Sequence, residues 1–462
     1  MKENFAVILA AGQGTRMKSE KAKVLHELAG RPMISHLVDR LTALDFKQII
    51  TIIGHEADAV KEELAGRTDF AFQAEQLGTA HAVQTAAPLL AGKTGNTLVL
   101  AGDTPLITTE SFEKLIQTHE EEAAKATILT ACVDDPTNYG RIIREADGSV
   151  KKIVEEKDAN AEEKAVQEIN TGTFIFDNES LLQALKKVDN HNAQGEYYLP
   201  DVIEILKAEG ETVAAYALTD PREALGINDR QALSQGHAIF YQRQNERFMA
   251  AGVTMLDPQT VYIEADVEIG PDTVIEPDVQ ILAGSRIGKN CHLGSGTIIR
   301  HSRLADGVSV RSSEIEESEV GAGSDIGPNA HLRPHSILHE QVHIGNFVEI
   351  KKAEIGAGTK IGHLTYVGDA TIGKRVNVSC GVIFCNYDGV EKAHSSIGDD
   401  AFIGSNVNIV SPVTVADKVF IAAGSTVTED VPSEAMAIAR ARQTNKPDYW
   451  AKLPISKKGH NK

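Results

Sequence analysis

Cysteine is scarce in this sequence, which contains four: Cys132, Cys291, Cys380 and Cys385. No two of them form a C-x-x-C pair, so the sequence signals neither a zinc site nor a disulfide framework. Reduced thiols are typical of cytosolic proteins, and we expect a cytoplasmic location. Long apolar runs are lacking too, because no stretch approaches the roughly 20 apolar residues that a membrane span needs. The apolar run at residues 5–9 is short, which favours a buried strand over a signal peptide.

Aromatic residues make up only 5% of the chain, whereas glycine is frequent, with 38 residues. This combination suits thin, tightly turning β architecture better than a thick aromatic core. Positive charge is also in short supply, since 46 basic residues face 65 acidic ones and the net charge is −19. Because DNA or RNA would be repelled overall, we expect no nucleic-acid partner, and phosphates must bind in a local pocket. The lack of a long apolar run leads us to expect no membrane partner. The length of 462 residues predicts two domains.

Residues 1–228 alternate strand and helix signals. Continuous apolar runs predict strands that are covered on both faces. Pro32 can open a helix in which the apolar residues recur at helical spacing. This order predicts an α/β domain, Rossmann-like, with a mostly parallel sheet and helices on both faces. The predicted strands are residues 5–9, 48–53 and 97–101, and residues 79–90 are a predicted helix.

Beyond this domain the period of the pattern changes. Residues 229–250 are polar with apolar residues at helical spacing, which predicts a connecting helix. Residues 251–462 carry aliphatic residues six apart, often followed by glycine, and chance periodicity is a poor explanation of two separate runs. A six-residue unit fits a short strand plus a tight corner, so we predict a parallel β-helix of hexapeptide repeats. The runs are Ile269, Ile275, Ile281, Ile287, Leu293 and Ile299, and then Ile397, Ile403, Ile409, Val415, Ile421 and Val427.

Two segments depart from this repeat. Residues 385–396, CNYDGVEKAHSS, have no six-residue period and predict a loop that leaves the coil. Long exceptions inside regular repeats often carry function. Residues 456–462 are polar and basic, and we expect them to be disordered.

The first predicted strand runs into the loop LAAGQGTRM at residues 9–17. Its small residues would let backbone N–H groups approach phosphates closely. Arg16 and Lys23 can add positive charge. The loop lacks the third glycine of a dinucleotide fingerprint and the Gly-Lys-Ser/Thr of a P-loop. By itself it is therefore explained as well by a plain turn as by a phosphate site.

Asp103 follows the predicted strand at residues 97–101, so we expect it at the carboxyl edge of the sheet. Ligands bind at this edge in open α/β folds. A carboxylate beside phosphates is the hard oxygen ligand that Mg²⁺ prefers. Taken alone, the Asp of Asp-Thr-Pro is more readily explained as a helix cap or a turn residue.

Seven strings occur in order along the first domain: LAAGQGTRM, KVLH, QAEQLGT, AGD, YGR, EINTG and GIN. Together they resemble the sugar-1-phosphate nucleotidyltransferases and are most similar to the uridyltransferases that make UDP-N-acetylglucosamine. The resemblance implies that Asp103 and Asn228 bind Mg²⁺. It implies that Arg16 and Lys23 are catalytic in uridylyl transfer. The implied binding site for UTP and UDP-N-acetylglucosamine consists of Leu9, Ala10, Ala11, Gly12, Lys23, Gln73, Gly78, Thr79, Gly140, Glu155, Asn170 and Asn228.

Polar and charged residues interrupt the predicted β-helix. His363 lies in the string IGHLTY, Arg333 and Lys351 place cations on the repeats, and Asn386 and Tyr387 lie in the predicted loop. A solenoid without such features would be a binding or structural module, and a lone histidine is more often structural. A histidine that occurs with cations, an asparagine and a tyrosine at comparable depths favours a catalytic site.

The strings HLRPHS, GNFVEIKKA, GHLTYVGDA, CNYDG, FIGS and IAAGS resemble a hexapeptide-repeat acetyltransferase. The similarity is to the glucosamine-1-phosphate acetyltransferase half of the same bifunctional enzymes. It implies a left-handed β-helix that forms a homotrimer, and it makes His363 the general base, since imidazole accepts a proton near neutral pH. The implied sugar-phosphate site is Arg333, Lys351, Tyr366 and Asn377. The implied acetyl-CoA site is Cys380, Asn386, Tyr387, Ser405, Ala423 and Arg440.

Three positions differ from what the resemblance leads us to expect. Ala22 stands where the family often has proline, and Ala101 where many relatives carry tyrosine. Cys380 stands where relatives have alanine or another small residue. None of these changes removes a charge or a ligand, so we expect both activities to be retained.

The leading hypothesis is therefore a bifunctional enzyme. Its back half would acetylate glucosamine-1-phosphate from acetyl-CoA. Its front half would transfer a uridylyl group from UTP to the product and release pyrophosphate, supplying precursors of peptidoglycan and lipopolysaccharide-type polymers. A second hypothesis keeps only the front activity and makes the β-helix a regulatory or oligomerising scaffold, against which His363 argues. A third is a non-catalytic assembly subunit, against which Asp103 and Asn228 argue.

Overall fold

A computed structural model describes residues 3–457 of the chain. Contacts divide the chain into two compact units, one ending at Arg243 and the other beginning at Gln244. The tail that we expected to be disordered from residue 456 is helical as far as Lys457, and residues 458–462 lie outside the described part. Across the described residues, no helix has the length and apolar character required to cross a membrane.

The first unit holds eleven strands among its described residues. They are β1 Asn4–Leu9, β2 Glu27–Leu28, β3 Arg31–Pro32, β4 Gln48–Ile53, β5 Asp69–Phe72, β6 Asn96–Ala101, β7 Ala126–Cys132, β8 Gly140–Arg144, β9 Val150–Val154, β10 Glu168–Asp177 and β11 Val213–Ala217. The α-helices are α1 Met33–Ala43, α2 Ala57–Glu63, α3 Thr79–Leu90, α4 Thr109–Glu121, α5 Ala161–Lys164, α6 Asn178–Ala184, α7 Asp201–Ala208 and α8 Arg230–Ala250, which continues into the second unit. Short 3₁₀ turns are Thr15–Met17, Lys23–Leu25 and Pro221–Ala224.

The main sheet of this unit has the strand order β11-β7-β10-β6-β1-β4-β5. Strands β6, β1, β4 and β5 run parallel to one another. Strand β10 is the exception, because it lies antiparallel between β6 and β7. Successive side chains of a strand point to opposite faces, and Val7 and Ile8 accordingly enter two different core clusters. The predicted α/β fold with a mostly parallel sheet, covered on both faces, is confirmed.

The pairing of β1 with β6 determines where the polar loops emerge. Leu9 pairs with Ala101 at the carboxyl ends of the two strands. The chain leaves β6 through Gly102, whose N–H donates to the Leu9 carbonyl at 2.9 Å. A Cβ at Gly102 would lie 2.9 Å from that same oxygen, so a larger residue would push the two loops apart. The loop after β1 and the Asp103 loop therefore begin side by side.

The described residues of the second unit form a single coil of 26 parallel strands, of which all but two are two or three residues long. Most strands pair with the third strand further along, so three strands make one turn, and the two 13-residue strands pair directly with each other. The strands up to the long pair are Thr254–Met255, Tyr262–Ile263, Glu268–Ile269, Val274–Ile275, Gln280–Ile281, Arg286–Ile287, His292–Leu293, Ile298–Arg300, Arg303–Leu304, Ser309–Val310, Glu314–Glu316, Glu319–Val320, Asp325–Ile326, His331–Leu332 and Ile337–Leu338. The others are His343–Ile355, Lys360–Ile372, Asn377–Val378, Ile383–Cys385, Ser395–Ile397, Phe402–Ile403, Asn408–Val410, Thr414–Val415, Phe420–Ile421, Thr426–Val427 and Met436–Ala437. Two 3₁₀ turns, Tyr449–Lys452 and Pro454–Lys457, follow.

The predicted aliphatic ladders form the interior of this coil. Leu304, for example, pairs with Ile287 on one side and Val320 on the other, and all three side chains are buried. Glycine follows the ladder residue where coils touch closely, since a Cβ at Gly270 would lie 2.6 Å from the Lys289 nitrogen. The six-residue period is confirmed, and the parallel strands are consistent with a left-handed β-helix.

The predicted loop leaves the coil between the strands Ile383–Cys385 and Ser395–Ile397. Both strands still pair with the following coil, Phe384 with Ile409 and Ile397 with Val415. The loop therefore does not interrupt the pairing between successive coils. Tyr387 and Lys392 form an antiparallel bridge that closes the loop on itself.

The ladder yields a prediction about stability. Replacing Leu304→Ala should lower the free energy of unfolding by about 2–4 kcal/mol, because a cavity remains between Ile287 and Val320. The neighbouring exposed change Arg303→Ala should cost no more than about 0.5 kcal/mol. Urea unfolding of the full chain, followed by far-UV circular dichroism, measures both. Equal losses for the two variants would contradict a buried ladder.

Candidate active sites

A cavity of about 310 Å³ lies in the first unit, where β1 and β6 end. Its lining unites residues from four separate strings of the sequence. Eight were expected in the nucleotide site, and a ninth, Asp103, was expected to bind Mg²⁺; the eight are Leu9, Ala10, Ala11, Gly12, Lys23, Gln73, Gly78 and Thr79. Five others were missed by the sequence reasoning: Val24, Gln76, Ala82, Ala101 and Glu196. Gln76 and Ala101 lie within strings that we quoted, whereas Glu196 lies in a polar stretch without a motif.

The loop after β1 is open on the side that faces the cavity. A Cβ at Gly12 would meet no atom within 4 Å. Gly14 has the opposite surroundings, because it adopts φ +62° and a Cβ there would lie 2.6 Å from the Cβ of Lys23. One glycine therefore leaves room for a ligand, and the other lets the stem of Lys23 pack closely against the loop.

Four polar side chains meet at the mouth of this loop. The Lys23 Nζ donates to Asp103 Oδ2 at 2.5 Å and to Asn228 Oδ1 at 3.0 Å. Arg16 donates to the same Asn228 oxygen at 2.8 Å. The backbone N–H of Ile227 donates to the Asp103 carbonyl at 2.8 Å, which ties the two ligand-bearing loops together.

The donor set at this point fits Mg²⁺. A carboxylate and an amide oxygen are hard ligands, and Mg²⁺ commonly takes one or two protein oxygens together with substrate phosphates and waters. Within residues 3–457 no group of three or more His, Cys, Asp or Glu side chains could hold a metal by itself. Asp103 and Asn228 are thus suited to a metal that is shared with a phosphorylated ligand.

Gln73 and the start of α3 form the far wall of the cavity. Gln73 is only 3% exposed, and its Nε2 lies 3.3 Å from the Gly78 carbonyl and 3.1 Å from His81 Nδ1. Gly78 adopts φ +117°, and a Cβ there would overlap the backbone of Tyr197. The Thr79 hydroxyl accepts the N–H of Leu199 at 2.9 Å. The wall is therefore held by backbone contacts that no other residue at position 78 would allow.

Three of the expected sugar-side residues lie together, and none of them is among the residues that line the cavity. Gly140 pairs with Asn170, which is 8% exposed. The Glu155 carboxylate lies against Gly140, 3.2 Å from where a Cβ would stand. Burial raises the pKa of Glu155 above its ordinary value, and the negative charges of Asp158 and Glu196 raise it further. This end of the site offers hydrogen-bond acceptors in a partly desolvated setting.

The second unit collects cations beside its loop. Arg333 donates to Glu349 at 2.7 Å. The ammonium of Lys392, which lies in the loop, holds the pKa of Lys351 below its ordinary value, and the charge of Arg333 adds to this effect. Lys392 was missed by the sequence reasoning, because a lysine in a loop without a repeat has no sequence signal of its own. The three cations form a local positive patch on an acidic chain.

Two further expected residues meet above a glycine. Lys351 pairs across the coils with Gly368. A Cβ at Gly368 would overlap the Tyr366 hydroxyl and lie 2.8 Å from Asn386 Nδ2. The absence of a side chain at position 368 therefore lets the Tyr366 hydroxyl and the Asn386 amide approach the backbone that pairs with Lys351.

His363 is exposed and pairs in register with Asn346 on the preceding coil. Its carbonyl accepts the Thr365 hydroxyl at 2.7 Å and the N–H of Gly381 at 3.3 Å. No protein group between residues 3 and 457 forms a hydrogen bond with its imidazole. The backbone is held, and the ring is left available to a ligand.

The expected acetyl-CoA residues follow one another along successive coils. The Cys380 carbonyl accepts the N–H of Asn406 at 2.8 Å, and the Ser405 carbonyl accepts the N–H of Gly424 at 2.8 Å. Gly424, which follows Ala423, has the Arg440 side chain 3.9 Å from its Cβ position. We call the residues His363, Cys380, Ser405, Ala423 and Arg440 the corner column. Two of the expected acetyl-CoA residues lie outside it: Asn386, which is buried, and Tyr387, which is exposed in the loop. Asn377 of the expected sugar-phosphate site donates to the Ser379 hydroxyl at 3.3 Å.

A glycine-rich loop with fixed cations at a sheet edge, together with an available histidine on a hexapeptide coil, indicates a transferase with two separate active sites. Comparison with known families agrees. Residues 5–221 match the family described as Nucleotidyl transferase, residues 257–353 match the GMPPB C-terminal domain, and residues 394–429 match Bacterial transferase hexapeptide (six repeats).

Full-length relatives define the family more narrowly. The Bifunctional protein GlmU of Halalkalibacterium halodurans is 55% identical over 98% of this chain and 99% of its own length. That of Latilactobacillus sakei is 56% identical over 98% of both chains, and that of Enterococcus faecalis is 56% identical over 99% of this chain and 100% of its own. The chain belongs to the bifunctional GlmU family. It is an enzyme of UDP-N-acetylglucosamine synthesis with uridyltransferase and acetyltransferase activities, so the leading hypothesis is confirmed over both alternatives.

The wall at Gly78 yields a prediction about the front site. Replacing Gly78→Ala should lower uridylyl transfer by about tenfold or more, because the new methyl group displaces the Tyr197 backbone and with it Gln73 and Thr79. Gly92→Ala, after the other end of α3, is the matched control, since Gly92 has φ +75° but open space at its Cβ position. It isolates the strain of the left-handed backbone from the overlap. Steady-state assays of UDP-N-acetylglucosamine formation compare the two, and equal activities would contradict the assignment of this wall to the site.

Proposed function

We propose that the front unit joins N-acetylglucosamine-1-phosphate to UTP at the cavity beside β1 and β6. An oxygen of the sugar phosphate forms a bond to the α-phosphorus of UTP. The bond from that phosphorus to the oxygen bridging it to the β-phosphate breaks, and pyrophosphate leaves with the electron pair. No covalent protein intermediate is needed, so catalysis consists of positioning and charge neutralisation.

The meeting of Lys23, Arg16, Asp103 and Asn228 carries this proposal. Asp103 and Asn228 would hold Mg²⁺, which supplies neutralisation of phosphate charge when bound. The ammonium of Lys23 and the guanidinium of Arg16 are already fixed beside these oxygens. Both cations would then stabilise the charge that develops on the reacting phosphates.

The remaining front residues would determine which substrates fit. Backbone N–H groups of Leu9, Ala10, Ala11 and Gly12 would cradle the triphosphate, supported by the open face of that loop. Gln73, Gly78 and Thr79 would hold the uracil edge. Gly140, Glu155 and Asn170 would hold the sugar, where the buried Glu155 carboxylate accepts hydrogen bonds from hydroxyl groups.

We propose that the back unit acetylates glucosamine-1-phosphate with His363 as the general base. The imidazole takes a proton from the amino group, and the nitrogen forms a bond to the thioester carbon of acetyl-CoA. The carbon–sulfur bond breaks, and coenzyme A leaves as the thiol or thiolate. The available imidazole, and the group of cations at Arg333, Lys351 and Lys392 in the same unit, support this assignment.

The other back residues would bind the two substrates. Arg333, Lys351, Tyr366 and Asn377 would hold the sugar phosphate, and the position of Lys392 adds that residue to the set. Cys380, Asn386, Tyr387, Ser405, Ala423 and Arg440 would hold acetyl-CoA, with Asn386 at the end where the thioester meets the amino group of the sugar. The acetylated sugar phosphate is then the acceptor for the front site, and the nucleotide sugar supplies peptidoglycan and lipopolysaccharide-type precursors. We assign the reactions to the cytoplasm, in keeping with four free thiols.

The two sites should fail independently. Replacing His363→Ala should abolish acetyl transfer, because the imidazole that would take the proton of the amine is lost, and should leave uridylyl transfer unchanged. Replacing Asp103→Ala should have the opposite effect. His339→Ala, an exposed histidine paired with Glu354, is the control for loss of an imidazole. Separate assays with glucosamine-1-phosphate plus acetyl-CoA, and with N-acetylglucosamine-1-phosphate plus UTP and Mg²⁺, measure the activities. Survival of both in either variant would refute the assignment.

We also propose a homotrimer built on the β-helix. Large apolar side chains are exposed beside His363, with Phe347 at 59% and Leu364 at 60%, and they occupy equivalent corners of adjacent coils. Contiguous exposed apolar groups mark association surfaces. Light scattering on the purified chain should give three times the chain mass, and Leu364→Glu should lower that mass together with acetyl transfer. A monomer with full acetyl transfer would contradict the proposal.

A further inference from the structure

One buried carboxylate of the second unit, that of Asp369, has no part in the chemistry above. Its backbone turns a corner of the coil with φ +48°, and aspartate tolerates this left-handed conformation better than most residues. That tolerance explains an aspartate at a corner but not a buried one. The corner aspartates Asp272, Asp278 and Asp400 are exposed, whereas Asp369 is 7% exposed.

The burial of Asp369 is accounted for by its contact with the loop. Its Oδ2 accepts Nδ2 of Asn386 at 2.6 Å, and Asn386 is itself 6% exposed. Its Oδ1 lies 3.7 Å from the ammonium of Lys352. An ionised carboxylate can only accept hydrogen bonds, so the amide of Asn386 must present its NH₂ group to Asp369. The charge of one residue therefore fixes the orientation of the other.

The amide oxygen is consequently turned away from Asp369. Among residues 3–457 no group donates to Asn386 Oδ1, and this atom does not belong to the buried polar atoms that lack a partner. It is therefore open to a ligand. Its surroundings are those of the back site, because the Asn386 amide and the Tyr366 hydroxyl both lie over Gly368, which pairs with Lys351.

We propose that Asp369 is a positioning residue for acetyl transfer, holding the Asn386 amide so that Oδ1 accepts an N–H of the attacking amino group. The inference rests on the proposed function of the His363 site. An acceptor at this point takes a hydrogen of the amine and leaves the nitrogen lone pair free to point at the thioester. A donor at the same point would bind the lone pair itself and oppose the reaction. The Asn386 amide could otherwise rotate by about 180°, and Asp369 thus fixes the orientation in which its oxygen, and not its NH₂ group, faces the ligand.

The test depends on exchanging the acceptor at position 369 and the donor at position 386. Asp369→Asn removes the charge that fixes the amide, so kcat for acetyl transfer should fall about tenfold or more while the KM for acetyl-CoA stays within about twofold. Asn386→Asp places two carboxylates against each other, and its kcat for acetyl transfer should fall at least as far. The exchanged pair, Asp369→Asn with Asn386→Asp, restores one donor facing one acceptor and leaves a carboxylate oxygen toward the ligand. It should recover about fivefold or more over either single variant.

Controls separate this role from a structural one. Asp417→Asn makes the same chemical change at an exposed corner, where the side chain accepts the N–H of Asp399, and acetyl transfer should be unchanged. Far-UV circular dichroism of each sample reports whether the coil is folded, and uridylyl transfer reports the state of the front unit. Wild type and His363→Ala are run alongside, and full acetyl transfer in His363→Ala would refute the site itself. With that site intact, unchanged kcat in Asp369→Asn, or an exchanged pair no better than the single variants, would overturn the role of Asp369.

Discussion

Parallel pairing of backbone strands is the constraint on which both halves of this enzyme depend. In the first unit, pairing of β1 with β6 brings the ends of two distant strands to the same edge. Asp103 therefore emerges beside the loop that precedes Arg16. In the second unit, pairing between coils does the same for residues that are many positions apart. Lys351 and Gly368 are neighbours for this reason.

Charge is organised within this frame against the overall balance of the chain. The net charge of −19 disfavours phosphorylated substrates at long range. Each candidate site nevertheless contains a small group of cations that acidic or amide side chains hold in place. Examples are Lys23 beside Asp103 and Arg333 beside Glu349. Cations fixed before a substrate arrives lose little side-chain freedom on binding. Recognition of phosphate is thus local rather than a property of the whole surface.

Much of the fold could be read from the sequence, because it depends on periodic patterns. The strand Gln48–Ile53 and the helix Thr79–Leu90 were predicted with the observed bounds. The antiparallel insertion of β10 was not, since an apolar strand carries no mark of its direction. Among site residues, Lys23 and Asp103 lie in recognisable strings. Lys392 lies near Lys351 only because the loop folds back on itself, a long-range effect that no local string encodes.

The corner column gives the second unit a built-in measure of length. Its residues, from His363 to Arg440, occupy five successive coils. Neighbouring strands lie about 4.8 Å apart, so the column extends over roughly 19 Å. Because the coil is held by backbone pairing at every step, this span cannot stretch or shrink to suit a ligand. If Arg440 anchors the acyl donor, as proposed, the donor would reach the histidine only with a flexible arm of matching length, and the number of coils would then limit the size of the donor.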